Sequence, residues 1–201
     1  NTFAWQACFD KDDLDRPGFW RLFKTKISGE AIGNVSPASH VGSELAKAYM
    51  LRSRMSVTKG LPSVVVNKTI EVISGLAFAF SGTLLAFQAF PIAEEIRTGL
   101  LAALLVTGAA IGVAVARQRR NTFGWFLNLL KRIGITFLES RREKIEEIDR
   151  NIAAFYQRNP RGFLVSLGFH VLSWFLGAFE VYYILGILGQ PLTFSTAYLL
   201  T

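Results

Sequence analysis

The sequence predicts an all-α fold: a polytopic bundle of transmembrane helices with a broken or re-entrant segment and amphipathic cytoplasmic helices. Of the 201 residues, 51% are hydrophobic and 18% are charged, and the mean hydropathy is +0.32. The apolar residues fall into runs of membrane length instead of short periodic segments. This composition excludes disordered, collagen-like and disulfide-scaffold proteins. The single cysteine, Cys8, cannot form an internal disulfide.

Runs with little or no charge predict the transmembrane helices. A helix over the first of them, residues 72–90, would extend about 28 Å, close to the thickness of the hydrocarbon core. A fourth apolar segment begins at residue 192. We therefore expect residues 1–201 to form one integral membrane domain, a fragment of a longer chain. The three predicted full spans are residues 72–90, 98–116 and 162–189.

The distribution of Lys and Arg predicts the orientation of these spans. Residues 117–161 hold eleven Lys and Arg against five Asp and Glu, whereas the connector at 91–97 holds Glu94 and Glu95 against one Arg. Because cytoplasmic loops are enriched in Lys and Arg, the basic loops are expected to be cytoplasmic. The interleaved acidic residues and the adjacent apolar spans argue against nucleic acid as a partner, although the net charge is +7.

The basic loop has helical periodicity of its own. Apolar residues recur at three- and four-residue spacing over 123–138, which predicts an amphipathic helix on the inner leaflet. Residues 139–158 are rich in charge and carry only a thin apolar stripe, which favours a solvated cytoplasmic helix.

The stretch from residue 27 to 51 is too polar for a lipid-facing helix and is rich in small residues. Pro37 would interrupt a helix that passes through it, and Asn34 lies one turn earlier. Irregular backbone at membrane depth is tolerated where protein or a wet cavity covers it, and such broken helices often form substrate sites in transporters. The alternative is an ordinary cytoplasmic loop followed by a surface helix.

Charged and polar residues near this stretch are the candidate substrate-binding residues. Glu44 and Lys47 are three residues apart on a predicted helix, where the lysine could hold a lipid phosphate and the glutamate could position it. A surface ion pair is the equally favoured alternative. Asn67, Lys68 and Glu71 lie at the start of the first span, where ionisable residues suggest function, although Lys68 and Glu71 could simply neutralise one another.

His170 and Glu180 are candidate intramembrane polar residues in the third span. Ten residues separate them, which places them about 80° apart around a helix, so each would need a partner on another helix. The sequence contains no nucleotide-binding, hydrolase or metalloprotease motif and no cluster with metal-ligand spacing. We therefore predict no catalytic residue, no metal and no cofactor.

A series of short motifs runs from residue 29 into the first span. They are Gly29-Glu30-Ala31, Asn34, Pro37, Gly42-Ser43-Glu44, Lys47-Ala48-Tyr49 and Val66-Asn67-Lys68-Thr69. With these motifs the chain resembles the lysylphosphatidylglycerol synthase transmembrane-region family, whose flippase-like members include hopanoid-associated proteins and the membrane half of the lysyl-lipid synthases. Family members typically have Gly-Gly-Glu followed by an Arg, whereas this chain has Ser43 at the second Gly and Lys47 at the basic position.

The resemblance implies a multi-pass protein of the bacterial inner membrane, active in or beside lipid movement between leaflets. The first hypothesis is a flippase or transporter for a phospholipid, a hopanoid or a lipid-linked sugar, with membrane lipids as partners. The alternative is a scaffold or accessory subunit that docks a glycosyltransferase or lipid-modifying enzyme through residues 122–158, and a homo-oligomer is compatible with either. An enzyme completed by residues outside this chain is the third hypothesis.

Overall fold

A computed structural model describes residues 1–9, 14–35, 39–119 and 142–201, and within these ranges the chain is helical and has no strand. Three of the described helices, Val57–Ala89, Glu94–Gln118 and Pro160–Ile187, are long and apolar enough to cross a membrane. The prediction of an all-α membrane protein is therefore confirmed. The helices are α1 (Thr2–Gln6), α2 (Phe19–Val35), α3 (Ser39–Leu51), α4 (Val57–Ala89), α5 (Glu94–Gln118), α6 (Arg142–Arg158), α7 (Pro160–Ile187) and α8 (Phe194–Leu199).

Helix α4 is the central element, and it begins at Val57, well before the uncharged run that starts at residue 72. Its 33 residues extend about 50 Å, more than a hydrocarbon core needs. The buried residues of α4 lie between Thr58 and Ser74, and residues 75–89 are partly or fully exposed. The first half of α4 therefore belongs to a protein core, and the helix continues from there as an apolar segment of membrane length.

That core lies where α1, α3, α4 and α6 meet. Trp5 of α1 is almost fully buried and donates a hydrogen bond from Nε1 to Ser63 Oγ of α4 at 3.2 Å. Ile148 and Ile152, on the apolar stripe of α6, are buried in the same cluster. The stripe thus packs within the chain, so a docking partner of α6 would have to use its charged outer face. The amphipathic helix expected over residues 123–138 lies outside the described residues.

The long helices alternate in direction and place their basic residues at one end. Helices α4 and α7 run parallel, since Asn67 contacts His170 and Ser74 contacts Trp174. Helix α5 is antiparallel to α4 and begins with Glu94 and Glu95 at the opposite end. We call the end that holds the first turns of α4 and α7 and the last turn of α5 the basic end; its cations include Lys59, Arg117, Arg119, Arg158 and Arg161.

A proline inside α4 removes one backbone hydrogen bond, and a side chain of another helix replaces it. Pro62 has no backbone N–H, so the carbonyl of Thr58, four residues earlier, loses its helical donor. Asn151 of α6 donates a hydrogen bond from Nδ2 to that carbonyl oxygen at 2.8 Å. The side chain of Asn151 therefore repairs the gap in the backbone hydrogen bonding of α4 and fixes α6 against it.

We expect Asn151→Ala to destabilise the protein by about 1–3 kcal/mol, because the substitution leaves the Thr58 carbonyl buried without a donor. Cys8 is a suitable reporter, because it is the single cysteine and burial raises the pKa of its thiol to about 12. Its alkylation in detergent at mildly alkaline pH should therefore require unfolding. The measurement is the temperature at which alkylation begins.

The background Pro62→Ala provides the control, since an alanine at this position restores the backbone donor. In that background the cost of Asn151→Ala should fall by more than half. An equal cost in both backgrounds would show that Asn151 stabilises the fold in some other way.

Candidate functional site

A polar cavity of about 170 Å³ lies among α2, α3 and the first half of α4. Helices α2 and α3 form an antiparallel pair on either side of residues 36–38, which lie outside the described residues and include Pro37. Five of the predicted substrate-binding residues line this one cavity, although they come from three helices. The lining residues are Glu30, Gly33, Asn34, Ser43, Glu44, Lys47, Lys68 and Glu71.

Lys47 is the most enclosed charge of the cavity, with only 7% of its surface exposed. Its Nζ lies 3.1 Å from Glu44 Oε1 on the same helix and 3.9 Å from Glu30 Oε1 on α2. An enclosed ammonium group is stable only when it is paired, and the two carboxylates provide this pairing. The residue spacing predicted the pair with Glu44, and the contact with Glu30 arises from the packing of α2 on α3.

A second ion pair faces the cavity from α4. Lys68 Nζ lies 2.8 Å from Glu71 Oε1, and each side chain is about one third exposed, at 34% and 30%. The uncharged run of α4 begins at the next residue, Val72. The cavity therefore lies where the polar part of the chain meets the apolar segment that is suited to the membrane.

Glu30 is a lining residue that the sequence reasoning did not select. Lys26 Nζ lies 2.8 Å from Glu30 Oε1, one turn away on α2, so this carboxylate is shared between Lys26 and Lys47. The spacing of Lys26 and Glu30 could have indicated an ion pair, but not that the pair would face Lys47. With Lys26 included, the three glutamates around the cavity are balanced by three lysines.

Close approach of α2 and α3 depends on Gly29. A Cβ atom at this position would lie 2.5 Å from Lys47 Cγ and 3.2 Å from the backbone oxygen of Ser43. Any larger residue would push Lys47 away or separate the helices. Gly29 therefore allows α2 to pack against the part of α3 that carries Lys47.

Asn67 and His170 form a buried pair between α4 and α7, next to the cavity and not in its lining. His170 Nε2 lies 3.2 Å from Asn67 Oδ1, and the imidazole is fully buried. The His170 Nδ1 atom has no hydrogen-bond partner in the part of the chain that the structure describes. The pair joins the two helices one turn from Glu71, which suits it to hold α4 in position.

The structure does not bring Glu180 to this cavity. Glu180 is exposed on α7, ten residues beyond His170 and about 80° from it around the helix. Within the described residues, no cluster of three or more His, Cys, Asp or Glu side chains is arranged to hold a metal ion. The chemistry available in the cavity is therefore charge pairing and hydrogen bonding by lysines, glutamates and an amide.

Comparisons with known proteins show which family this chain is similar to. Residues 12–201 match the sequence model of the family described as lysylphosphatidylglycerol synthase TM region. The chain is 24% identical over 206 residues to a UPF0104 membrane protein of Methanothermobacter thermautotrophicus, and the match covers 96% of this chain. The chain spans 60% of the length of that relative. No solved structure matches the chain.

We expect Gly29→Ala to destabilise the protein by about 1–3 kcal/mol and to displace Lys47, because the added methyl group overlaps its side chain. Thermal unfolding of the detergent-solubilised protein measures this effect. Gly168→Ala is the matched control, since a Cβ there has no neighbour within 4 Å, and it should be neutral or slightly stabilising. Equal stabilities of the two variants would show that the helices do not approach as closely as described.

Proposed function

We propose a role in lipid translocation for this chain, which belongs to the lysylphosphatidylglycerol synthase transmembrane-region family. In this proposal the chain moves an amphipathic lipid, either a phospholipid, a hopanoid or a lipid-linked sugar, from one leaflet to the other. The activity is proposed for the protein that contains these residues, because the chain spans only part of its curated relative.

The observation that carries the proposal is a charged cavity at the edge of an apolar segment. Three glutamates and two lysines line a space of about 170 Å³ where the uncharged run of α4 begins. At the centre of a membrane helix an ionisable group costs on the order of 2.5–3.5 kcal/mol on insertion scales, so ionisable groups near a membrane segment are usually retained for function. A lipid headgroup is the polar ligand present at this depth.

The ion pairs suit a site that must bind and then release its ligand. Lys47 and Lys68 are each compensated by a carboxylate of the cavity itself, so release of a ligand leaves no bare charge. A phosphate that enters can replace a carboxylate as the acceptor of the lysine protons in charge-assisted hydrogen bonds. In this exchange Glu44 and Glu71 orient the lysines, and Asn34 offers a neutral amide to the headgroup.

The charge asymmetry supports an orientation for the protein. The basic end gathers cations from the first turns of α4 and α7 and the last turn of α5, while Glu94 and Glu95 lie at the other end. We propose that the basic end faces the cytoplasm of a bacterial cell and that the protein lies in the inner membrane. The cavity would then receive headgroups from the cytoplasmic leaflet.

We expect Glu44→Gln and Lys47→Ala each to slow lipid movement by about tenfold or more, because each removes a charge-assisted interaction of the cavity. The measurement follows labelled lipids in liposomes that contain the complete protein, using a reagent that reacts only with headgroups in the outer leaflet. Several labelled headgroups should be compared.

The control is a surface ion pair of the same kind. Arg142 Nε lies 2.9 Å from Glu146 Oε1 on α6, and both side chains are exposed. Arg142→Gln should leave lipid movement within about twofold of wild type, because exposed pairs contribute little. Unchanged movement in well-inserted Glu44→Gln and Lys47→Ala proteins would overturn the assignment of the site.

A further inference from the structure

The cavities at the basic end differ in charge from the cavity of Glu44 and Lys47. Three of them surround the start of α7, and the described residues that line them include cations but no carboxylate. The first is lined by Lys59 and Arg158, the second by Arg119, and the third by Arg16 and Arg161. The third is the best-defined candidate, because two guanidinium groups face one space.

Arg16 is held in place with donor capacity left over. Its Nη2 atom donates a hydrogen bond to the carbonyl oxygen of Gln6 at 3.2 Å. Its Nε atom is buried and has no hydrogen-bond partner among the described residues. The charge of a guanidinium group is delocalised, so an anion in the cavity that Arg16 lines is attracted to the group as a whole. The cavity beside it has a volume of about 200 Å³.

The beginning of α7 forms another side of the cavity. Asn159 caps this helix by accepting a hydrogen bond from the Gly162 backbone N–H at 2.8 Å, and its Nδ2 atom lies 3.4 Å from the carbonyl oxygens of Ala7 and Phe9. The segment that follows α1 is thus tied to the first turn of a 28-residue helix. The positive end of that helix and the exposed Arg161 both favour an anion here.

An apolar wall continues from the cations along α7 toward the membrane segment. Val165 and Phe169 lie one and two turns beyond Arg161, and Phe3 stacks on Phe169 with ring centroids 5.5 Å apart. These three side chains remain between 37% and 53% exposed. A ligand that suits the whole cavity is therefore anionic at one end and apolar at the other.

We propose that Arg16 and Arg161 bind the phosphate of an anionic phospholipid from the leaflet at the basic end, with an acyl chain along Phe3, Val165 and Phe169. The guanidinium groups of Arg16 and Arg161 donate to the phosphate oxygens, and the start of α7 contributes its positive end. This lipid site is separate from the cavity of Glu44 and Lys47, and it does not depend on the proposed translocation.

The test measures lipid binding to the purified, intact chain in detergent, by native mass spectrometry and by thermal unfolding. Phosphatidylglycerol, phosphatidylcholine and inorganic phosphate are the three probes. We expect the chain to bind phosphatidylglycerol more tightly than phosphatidylcholine and to bind inorganic phosphate weakly. Arg16→Gln and Arg161→Gln should each weaken the binding of phosphatidylglycerol by about tenfold, the loss of one charge-assisted hydrogen bond.

Arg54→Gln is the matched control, because Arg54 is exposed before the start of α4 and does not line these cavities. It should change the affinity by less than twofold. Arg161 is exposed, so Arg161→Gln keeps the test valid if Arg16→Gln impairs folding. Equal losses in Arg54→Gln and Arg161→Gln would indicate a diffuse basic surface and overturn the proposal. Inorganic phosphate binding as tightly as phosphatidylglycerol would also overturn it.

Discussion

The fold depends on a line of hydrogen bonds that fastens other helices to one side of α4. Hydrophobic burial does not drive helices together inside lipid, so close packing and interhelical hydrogen bonds have to do so. Four polar residues of α4, at positions 63, 67, 74 and 81, meet partners on α1, α7 and α8. Between them, Gly75 lets the Trp174 ring approach to 3.1 Å from where a Cβ would lie. These contacts set the rotation of α4 about its axis.

That rotation determines where the charges of α4 lie. Lys68 follows Asn67 by about 100° around the helix, so fastening Asn67 to His170 turns Lys68 away from α7. Glu71 lies one turn after Asn67, beside the contact with α7, and it pairs with Lys68. Both residues line the cavity with the pair of α2 and α3, whose close approach at Gly29 places Lys47 and Glu30 there. The position of Lys68 in the charged cavity is therefore a consequence of polar contacts on another side of α4.

Hydropathy and local residue spacing were sufficient to predict the fold class and two ion pairs within single helices. The all-α membrane class follows from uncharged runs, and the partners of Lys47 and Lys68 on their own helices follow from a spacing of three residues. Contacts between helices could not be obtained in this way. The pair of Asn67 and His170 joins residues 103 positions apart, and the inclusion of Glu30 depends on how α2 packs. The early start of α4 was missed because a partly polar helix inside a protein core has no hydropathy signal.

The two charged cavities differ in whether carboxylates accompany the cations among their described lining residues. The cavity of Glu44 and Lys47 contains its own counter-charges, so it is stable when empty and can exchange a ligand at small cost. The cavity of Arg16 and Arg161 has no carboxylate among its described lining residues. Two arginines that face no counter-charge among these residues gain more from a bound anion and release it less readily. Balanced charge is therefore suited to transport, and unbalanced charge to a lipid that stays in place at the basic end.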